Sequence, residues 1–450
     1  MSVYDVIVIG SGPGGYVAAE RAGSLGKKVL LIEKDQLGGV CTNWGCIPTK
    51  SLLNSAKQYR HALESEKFGV SCSNVVFDLS IAMKWKQETV ETLRSGIQFL
   101  MKSNHVDVVN GEASLVDERH VAVAETVYEG EYIILATGSS PAVPPIEGVR
   151  GENVVTSDTI LKIEKLPESL VVIGGGVIGI EFASFFSSVG VAVTVVEMLD
   201  EILPMMDGQF AKLIRREMKD VTFHLGSKVQ KITADGVHFV DAKGIQAFAK
   251  GSMVLVATGR KPNLKGFEAL QLATTKAGVV VDEYLRTNIP NIYAIGDVNG
   301  KSLLAHSASR MAEVVISNLF GSKSMRMRYH AIPWAVYGIP EAAGCGLTET
   351  DAQKQKREVL TAVVQMRANG RFLAENGKRA SGLCKIIVDA HTRVILGVHL
   401  LGPYSSEIIP AAAVMIEAEL RIKEAKEIIY PHPSVAEIIK DALYAIDQTV

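Results

Sequence analysis

Apolar residues fall along the chain in two rhythms: short β-branched runs, and longer stretches in which apolar positions recur every three or four residues. The first run is Tyr4–Ile9, YDVIVI, apolar and β-branched with one early Asp, and it reads as a short strand. It leads directly into Gly10-Ser11-Gly12-Pro13-Gly14-Gly15, then an Ala-rich helical segment over 16–25 and a second strand over 28–32 ending at Glu33. The whole succession returns later. A strand at 170–173 feeds Gly174-Gly175-Gly176-Val177-Ile178-Gly179, a helix at 180–189 follows, and a strand at 191–196 ends at Glu197. A second echo accompanies it, because LVATGRKPN at 255–263 answers ILATGSSP at 134–141. The chain is therefore an internal duplication of βαβ units, which implies parallel sheet and an α/β fold.

Between and beyond the repeats the pattern predicts helices over 49–63 and 81–101, short strands from 106 to 136, and a linker marked by Pro141, Pro144 and Pro145. RTNIPNIYAIGD at 286–297 contains another short strand that closes on Gly296 and Asp297. From 329 the composition changes. Strands are expected at 359–364 and 382–389, an amphipathic helix at 405–419, and a last helix from 433 to about 444, since proline is tolerated at the first helical position.

At 450 residues the chain exceeds one ordinary core, so two to four domains are expected. Hydrophobic content of 47% with 21% charged residues describes a soluble globular protein. A formal net charge of −2 gives no attraction to nucleic acid or to an anionic membrane. No secretory signal is visible at the amino terminus, and the weakly charged stretch at 408–416 is too short to span a bilayer. Five cysteines, an odd number scattered along the chain, do not form an extracellular disulfide framework, so a reducing cytoplasm is expected.

Candidate chemistry concentrates in GGVCTNWGCIPTK at 38–50. Cys41 and Cys46 can close a small disulfide loop of the readily reduced kind, which favours a redox role, although such a pair also occurs as free thiols or metal ligands. Cys72 is read as incidental. At each glycine box the backbone can approach a pyrophosphate, the helix amino terminus supplies N–H donors, and Glu33 or Glu197 can accept from ribose hydroxyls. Two dinucleotides, or one and a copied relic, are therefore expected. No arginine follows Glu197 in Met198-Leu199-Asp200-Glu201, so NAD is favoured over NADP. The neighbouring cysteines assign a flavin to the first box. Asp297 is a candidate for a ribityl hydroxyl or, alternatively, a turn cap. The basic residues Arg367, Arg371, Lys378 and Arg379 read as a hairpin loop in water. His432, with Glu437 within reach to orient its ring, is a candidate general base or a surface histidine.

GGVCTNWGCIPTK, the paired glycine boxes, YAIGD with LLAH at 303–306, and HPSVAE at 432–437 together resemble the flavoprotein disulfide oxidoreductases, the class I pyridine nucleotide–disulfide oxidoreductase family, and within it the dihydrolipoyl dehydrogenase branch. The likeness covers essentially the whole chain. It implies two Rossmann-like dinucleotide-binding domains plus a carboxy-terminal dimerisation domain of α+β type. The expected division is an FAD-binding domain over 1–147, an NAD-binding domain over 148–265, a central domain completing the FAD site over 266–328, and an interface domain over 329–450. It implies FAD and NAD as cofactors, no metal, and an enzyme that reoxidises protein-bound dihydrolipoamide to lipoamide while reducing NAD+ to NADH.

Position by position, the resemblance makes Cys41 the thiol that exchanges with substrate and Cys46 the thiol facing the flavin, joined as a redox disulfide. Lys50, paired with Glu181, lies by the flavin. FAD contacts fall on Gly10, Gly12, Gly15, Glu33, Lys34, Gly39, Val40, Cys41, Lys50, Ala113, Thr137, Gly138, Ser139, Gly296, Asp297, Leu303, Leu304, Ala305 and His306. NAD contacts fall on Gly174, Gly176, Val177, Ile178, Gly179, Glu181, Glu197, Val229 and Gly259. His432 and Glu437 form an acid–base dyad that reaches the disulfide of the opposite subunit, which implies a homodimer. Pro431 departs from the alanine or histidine more usual before this histidine and bears on its approach. With no lipoyl domain ahead of residue 1, the lipoyl group is expected on another protein. A glutathione-type reductase would use NADPH, a mercuric reductase would carry cysteines beyond Cys384, and a redox sensor or scaffold without catalysis would have no need of Cys41, Cys46 and His432 together.

Overall fold

The computed structural model describes residues 3–322 and 324–446. Its first layer grows from β1 (Tyr4–Ile9), which turns through the glycine box into α1 (Pro13–Ser24) and returns parallel as β2 (Val29–Glu33). Both strands are buried over Val6–Ile9 and Val29–Glu33, as their apolar runs require. Then come α2 (Gly39–Trp44), α3 (Cys46–Leu63), α4 (Leu79–Ser103), β3 (Asp107–Asn110), β4 (Ala113–Leu115), β5 (His120–Val123), β6 (Thr126–Leu135) and β7 (Ser139–Pro141). The central order β3-β2-β1-β6 is parallel, with β5 added antiparallel to β6 and β4 antiparallel to β5.

The second unit repeats the plan. It holds β8 (Val154–Thr156), β9 (Ser169–Ile173), α5 (Val177–Ser188), β10 (Ala192–Val196), α6 (Gly208–Glu217) and β11 (Val221–His224). A three-stranded antiparallel excursion follows, β12 (Lys228–Thr233), β13 (Gly236–Val240) and β14 (Gln246–Lys250), before β15 (Met253–Val256) and β16 (Arg260–Pro262). The sheet order β11-β10-β9-β15-β8 is parallel throughout. β16 pairs antiparallel with β7, so the two echoing segments lie against each other.

β17 (Ile292–Ala294) then goes back to the first sheet and pairs parallel with β6, and α7 (Ala305–Phe320) packs on α1. The remainder is a five-stranded antiparallel sheet of β18 (Trp334–Val336), β19 (Ala342–Gly346), β20 (Val359–Gln365), β21 (Leu383–Asp389) and β22 (Ile395–Leu401), with a short helix, α8 (Glu349–Lys354), after β19. α9 (Gly370–Asn376) connects β20 to β21, and α10 (Ser405–Glu417), α11 (Ile422–Lys426) and α12 (Glu437–Ala445) follow β22. The fold is α/β, with two Rossmann-like units and an α+β carboxy-terminal unit. Among the described residues no helix is long and apolar enough to cross a membrane.

Several boundaries differ from the sequence pattern, among them the start of α5 at Val177 rather than Ile180. α1 begins at Pro13 rather than Tyr16, because proline and glycine fit a first turn whose N–H groups have no helical partner. α3 begins at Cys46 rather than Thr49, with Pro48 tolerated in that first turn for the same reason, and the separate helix α2 was not anticipated. The final helix begins at Glu437, not Pro433: the Ser434 N–H is satisfied by the Glu437 carboxylate at 2.9 Å, so residues 433–436 stay in a turn. The basic cluster at 367–379 is not a plain hairpin loop but includes α9, where Arg371 pairs with Glu375.

Candidate active site

Both glycine boxes fold into the same cradle, and steric contact explains why. Gly10 and Gly174 have φ of +98° and +109°, and a Cβ there would lie 2.4 and 2.5 Å from the carbonyl oxygens of Ala136 and Ala257. Gly15 and Gly179 sit one helical turn inside, where a Cβ would fall 1.8 and 2.0 Å from the Gly10 and Gly174 carbonyl oxygens. These two therefore set helix against strand and do not face the cleft.

The acidic strand ends accept from the same two main-chain positions in each repeat. Glu33 Oε2 accepts from the Ser11 N–H at 2.8 Å and Oε1 from the Asp35 N–H at 2.8 Å. Glu197 Oε2 accepts from the Gly175 N–H and Oε1 from the Leu199 N–H at 2.7 Å. Each carboxylate keeps lone pairs for a further donor.

A continuous cleft of about 2280 Å³ runs between the two cradles. Pockets for one drug-sized ligand are usually ~300–1,000 Å³, so this one has room for two extended nucleotides. Gly10, Gly12, Glu33, Lys34, Gly39, Val40, Ala113, Thr137, Gly138, Ser139, Gly296, Asp297 and Leu303 to His306 line one part of it. Gly174, Gly176, Val177, Ile178, Glu197, Val229 and Gly259 line another, and Cys41, Cys46, Lys50 and Glu181 stand on its wall as well. Residues fit FAD and NAD here because two N–H-rich helix starts and two fixed carboxylates face one cavity.

Cys41 lies in the middle of α2 and Cys46 opens α3, with Gly45 at the break between the two helices. Both are thiols. Cys41 donates to Cys46, which raises Cys41 sharply, with burial adding to the effect. The same hydrogen bond lowers Cys46 to about 7 against its burial, and the charge of Lys50 helps. The arrangement is a thiol beside an incipient thiolate.

Lys50 Nζ lies 3.0 and 2.8 Å from the two Glu181 oxygens. Burial pulls the Lys50 ammonium down, but Glu181 outweighs it and the net shift is upward. Glu181 points here because Phe182, Phe185 and Phe186 are buried around α5, each worth about 1.5–3 kcal/mol, which fixes the rotation of the helix. Two further groups come from the carboxy-terminal unit: the Tyr337 N–H donates to Glu181 Oε1 at 3.0 Å, and the Tyr337 ring lies 4.6 Å from Lys50 Nζ.

Asp297 accepts from Ser139 Oγ at 2.5 Å, and Arg260 donates to Ser139 Oγ and Ser139 O, both at 2.7 Å. Burial raises Asp297, offset by Ser139 and Arg260. Asn263 clasps the two echo segments, with Nδ2 donating to Thr137 O at 2.9 Å and Oδ1 accepting from Ser140 Oγ at 2.7 Å. His306 Nε2 is 2.7 Å from Pro333 O.

His432 Nδ1 lies 3.0 Å from Glu437 Oε1, so these two meet as expected, but their imidazole is 81% exposed and stands outside the cleft of its own chain. Sequence reasoning missed Tyr337, Arg260 and Asn263. The last two lay inside the echoed motif, which was the available signal; Tyr337 was only one aromatic residue among several in 329–339. Among the described residues no cluster of His, Cys, Asp or Glu is arranged to hold a metal ion.

A family model described as pyridine nucleotide-disulphide oxidoreductase matches residues 4–312, and the dimerisation domain of that family matches residues 332–443. The chain is 37% identical to a dihydrolipoyl dehydrogenase of Geobacillus stearothermophilus over 450 residues, covering 97% of this chain and 95% of that protein. It is 36% identical to one from Rhizobium etli over 485 residues, covering 98% and 97%. The mitochondrial dihydrolipoyl dehydrogenase of Pisum sativum is 37% identical over 458 residues, covering 98% and 91%. Among solved structures, a Cu(II) complex of the HOCl-induced flavoprotein disulfide reductase RclA from Escherichia coli superposes with a TM-score of 0.87 at 29% identity, covering 99% of both chains.

Proposed function

Because the chain belongs to the pyridine nucleotide-disulphide oxidoreductase family, we propose that it oxidises protein-bound dihydrolipoamide to lipoamide and reduces NAD+ to NADH. It is an oxidoreductase, and its cofactors are FAD and NAD. The single observation that carries the substrate reading is the placement of Cys41 and Cys46 together on the cleft wall, in the same cleft as Lys50 and its partner Glu181.

In the proposed cycle the pair starts as a disulfide. His432 of one subunit takes a proton from one substrate thiol, since the thiolate is the attacking species. That sulfur bonds to Cys41 as the Cys41–Cys46 bond breaks, and Cys46 leaves as a thiolate beside Lys50. The second substrate thiol displaces Cys41, closing the lipoamide disulfide and leaving Cys41 and Cys46 as a dithiol. FAD, when bound, supplies the two-electron relay between this dithiol and NAD+. Glu437 holds the His432 ring for its proton transfer. Exposure of His432 away from its own cleft supports a role across the dimer, where the dimerisation domain would bring it to the partner's cysteine pair.

We infer the division of labour as residues 1–147 with 266–328 for FAD, 148–265 for NAD, and 329–450 for the subunit interface, supported by β17 pairing with β6. A lipoyl-bearing protein is the inferred partner and a reducing cytoplasm the inferred compartment, the latter supported by the buried thiols Cys345 and Cys384. A second reading, a glutathione-reductase-like disulfide reductase driven by NAD(P)H, is favoured by the close superposition on RclA. Initial rates of the purified FAD-loaded protein with NAD+ and dihydrolipoamide, against NADPH with oxidised glutathione, decide. Faster turnover of the glutathione couple would overturn the dihydrolipoamide reading.

A further inference from the structure

His432 is exposed, yet its geometry is traceable inward through hydrogen bonds to the core. Its Nδ1 lies 3.0 Å from Glu437 Oε1; Glu437 Oε2 accepts from the Ser434 N–H at 2.9 Å; and Ser434 O accepts from Asn369 Nδ2 at 2.8 Å. Asn369 is buried, only 5% exposed, and is itself pinned in two further ways. Its Oδ1 caps α9 by accepting from the Phe372 N–H at 2.9 Å, and its own N–H donates to Met366 O at 2.9 Å, with Phe372 and Met366 both fully buried.

We propose that Asn369 is a positioning residue for His432: its amide fixes the Ser434 main chain, Ser434 fixes the Glu437 carboxylate, and the carboxylate fixes the imidazole. The assignment deepens the reading of His432 and Glu437 as the acid–base dyad and rests on it. Glu437 is held below the usual carboxylate range, first by the Ser434 N–H and then by His432, so it is ionised and can only accept. The histidine must then present N–H at Nδ1, leaving Nε2 free to take a proton. Without the Asn369 anchor the turn at 433–436 has one fewer tie to the core, and the ring loses its fixed tautomer and direction.

Asn369→Asp separates the two duties of the side chain, since a carboxylate still caps α9 but cannot donate to Ser434. Asn369→Ala removes both duties, and where it fails to fold the Asp variant carries the test. In the FAD-loaded homodimer, Asn369→Asp should slow dihydrolipoamide oxidation by roughly tenfold or more while NADH oxidation by a small artificial acceptor stays within about twofold. Its loss should not add to that of His432→Gln in the double variant. The ring-nitrogen NMR shifts of His432 should move from the Nδ1–H form toward a mixture. Equal losses in both activities, additive losses, or an unchanged tautomer would overturn the proposal. If His432→Gln turns over as fast as the parent, the dyad reading falls, while the ring-nitrogen shifts still decide whether Asn369 positions the imidazole.

Discussion

Lys50 and Glu181 form a bidentate ion pair that ties α3 of the first repeat to α5 of the second, with Nζ 2.8 and 3.0 Å from the two carboxylate oxygens. Glu181 is nearly buried at 4% side-chain exposure, and Lys50 is 31% exposed. Such a pair is weak evidence for stability by itself, but breaking it leaves a buried charge without a partner. Glu181→Ala also strands the Tyr337 N–H. We expect that variant to lose about 3 kcal/mol in urea unfolding, and Glu181→Leu combined with Lys50→Met to recover much of the loss. A double variant no more stable than the single one would contradict this account.

The Cys41–Cys46 contact makes a pH prediction. Cys46 titrates near 7, so its thiolate, the reactive form, is present above that pH and is lost as pH falls through it. Alkylation of Cys46 in the reduced protein, followed by mass spectrometry, should therefore rise with a midpoint of about 7. Cys41→Ala removes the donor and leaves burial in place, so the midpoint should climb above the ordinary thiol value of about 8.5. A midpoint unmoved by that change would assign the effect to Lys50 alone.

Much of this site was legible from residue order. The glycine boxes, the acidic residues 23 positions on and the paired cysteines are local signals, because strand, turn and helix must follow each other within one βαβ unit. Groups delivered from far along the chain were not legible. Tyr337 meets Glu181 across 156 positions, and Arg260 meets Ser139 across 121. These contacts depend on how separate layers pack, and no periodicity encodes that. The start of α12 was misplaced for a similar reason: Pro433 fits a helix start locally, but the Glu437 side chain satisfies Ser434 first.

Complementation between inactive subunits tests the trans arrangement. Cys41→Ser should abolish dihydrolipoamide turnover with FAD still bound, and His432→Gln should slow it severely, by about a hundredfold or more. In a mixed dimer, one of the two sites combines an intact cysteine pair with the partner's intact histidine. Co-expressed, differently tagged subunits should therefore regain close to half the parent activity per dimer if the dyad acts across the interface. If histidine and cysteines acted within one chain, both sites of the mixed dimer would stay impaired.

The preference for NAD over NADP is expected to rest on one carboxylate at the end of β10. Glu197 is 9% exposed and is held by the N–H groups of Gly175 and Leu199, so it cannot easily turn away from a bound ribose. The next residue, Met198, is exposed and uncharged, and no cation follows it as far as Glu201. A 2′-phosphate placed about 4 Å from this carboxylate would meet repulsion of roughly 4 kcal/mol per unit charge in a partly shielded site. Only part of that is realised once solvent and counterions relax, so NADP+ should be disfavoured in kcat/KM by about a hundredfold or more. Replacing Met198 with Arg alone should narrow the gap modestly, since the repelling group remains. Glu197→Ser with Met198→Arg should close most of it, chiefly by weakening NAD+, because the serine can no longer bridge the Gly175 and Leu199 amides. Steady-state kcat/KM with both nucleotides checks the sequence of effects. Comparable use of NADP+ by the parent protein would remove Glu197 as the discriminating group.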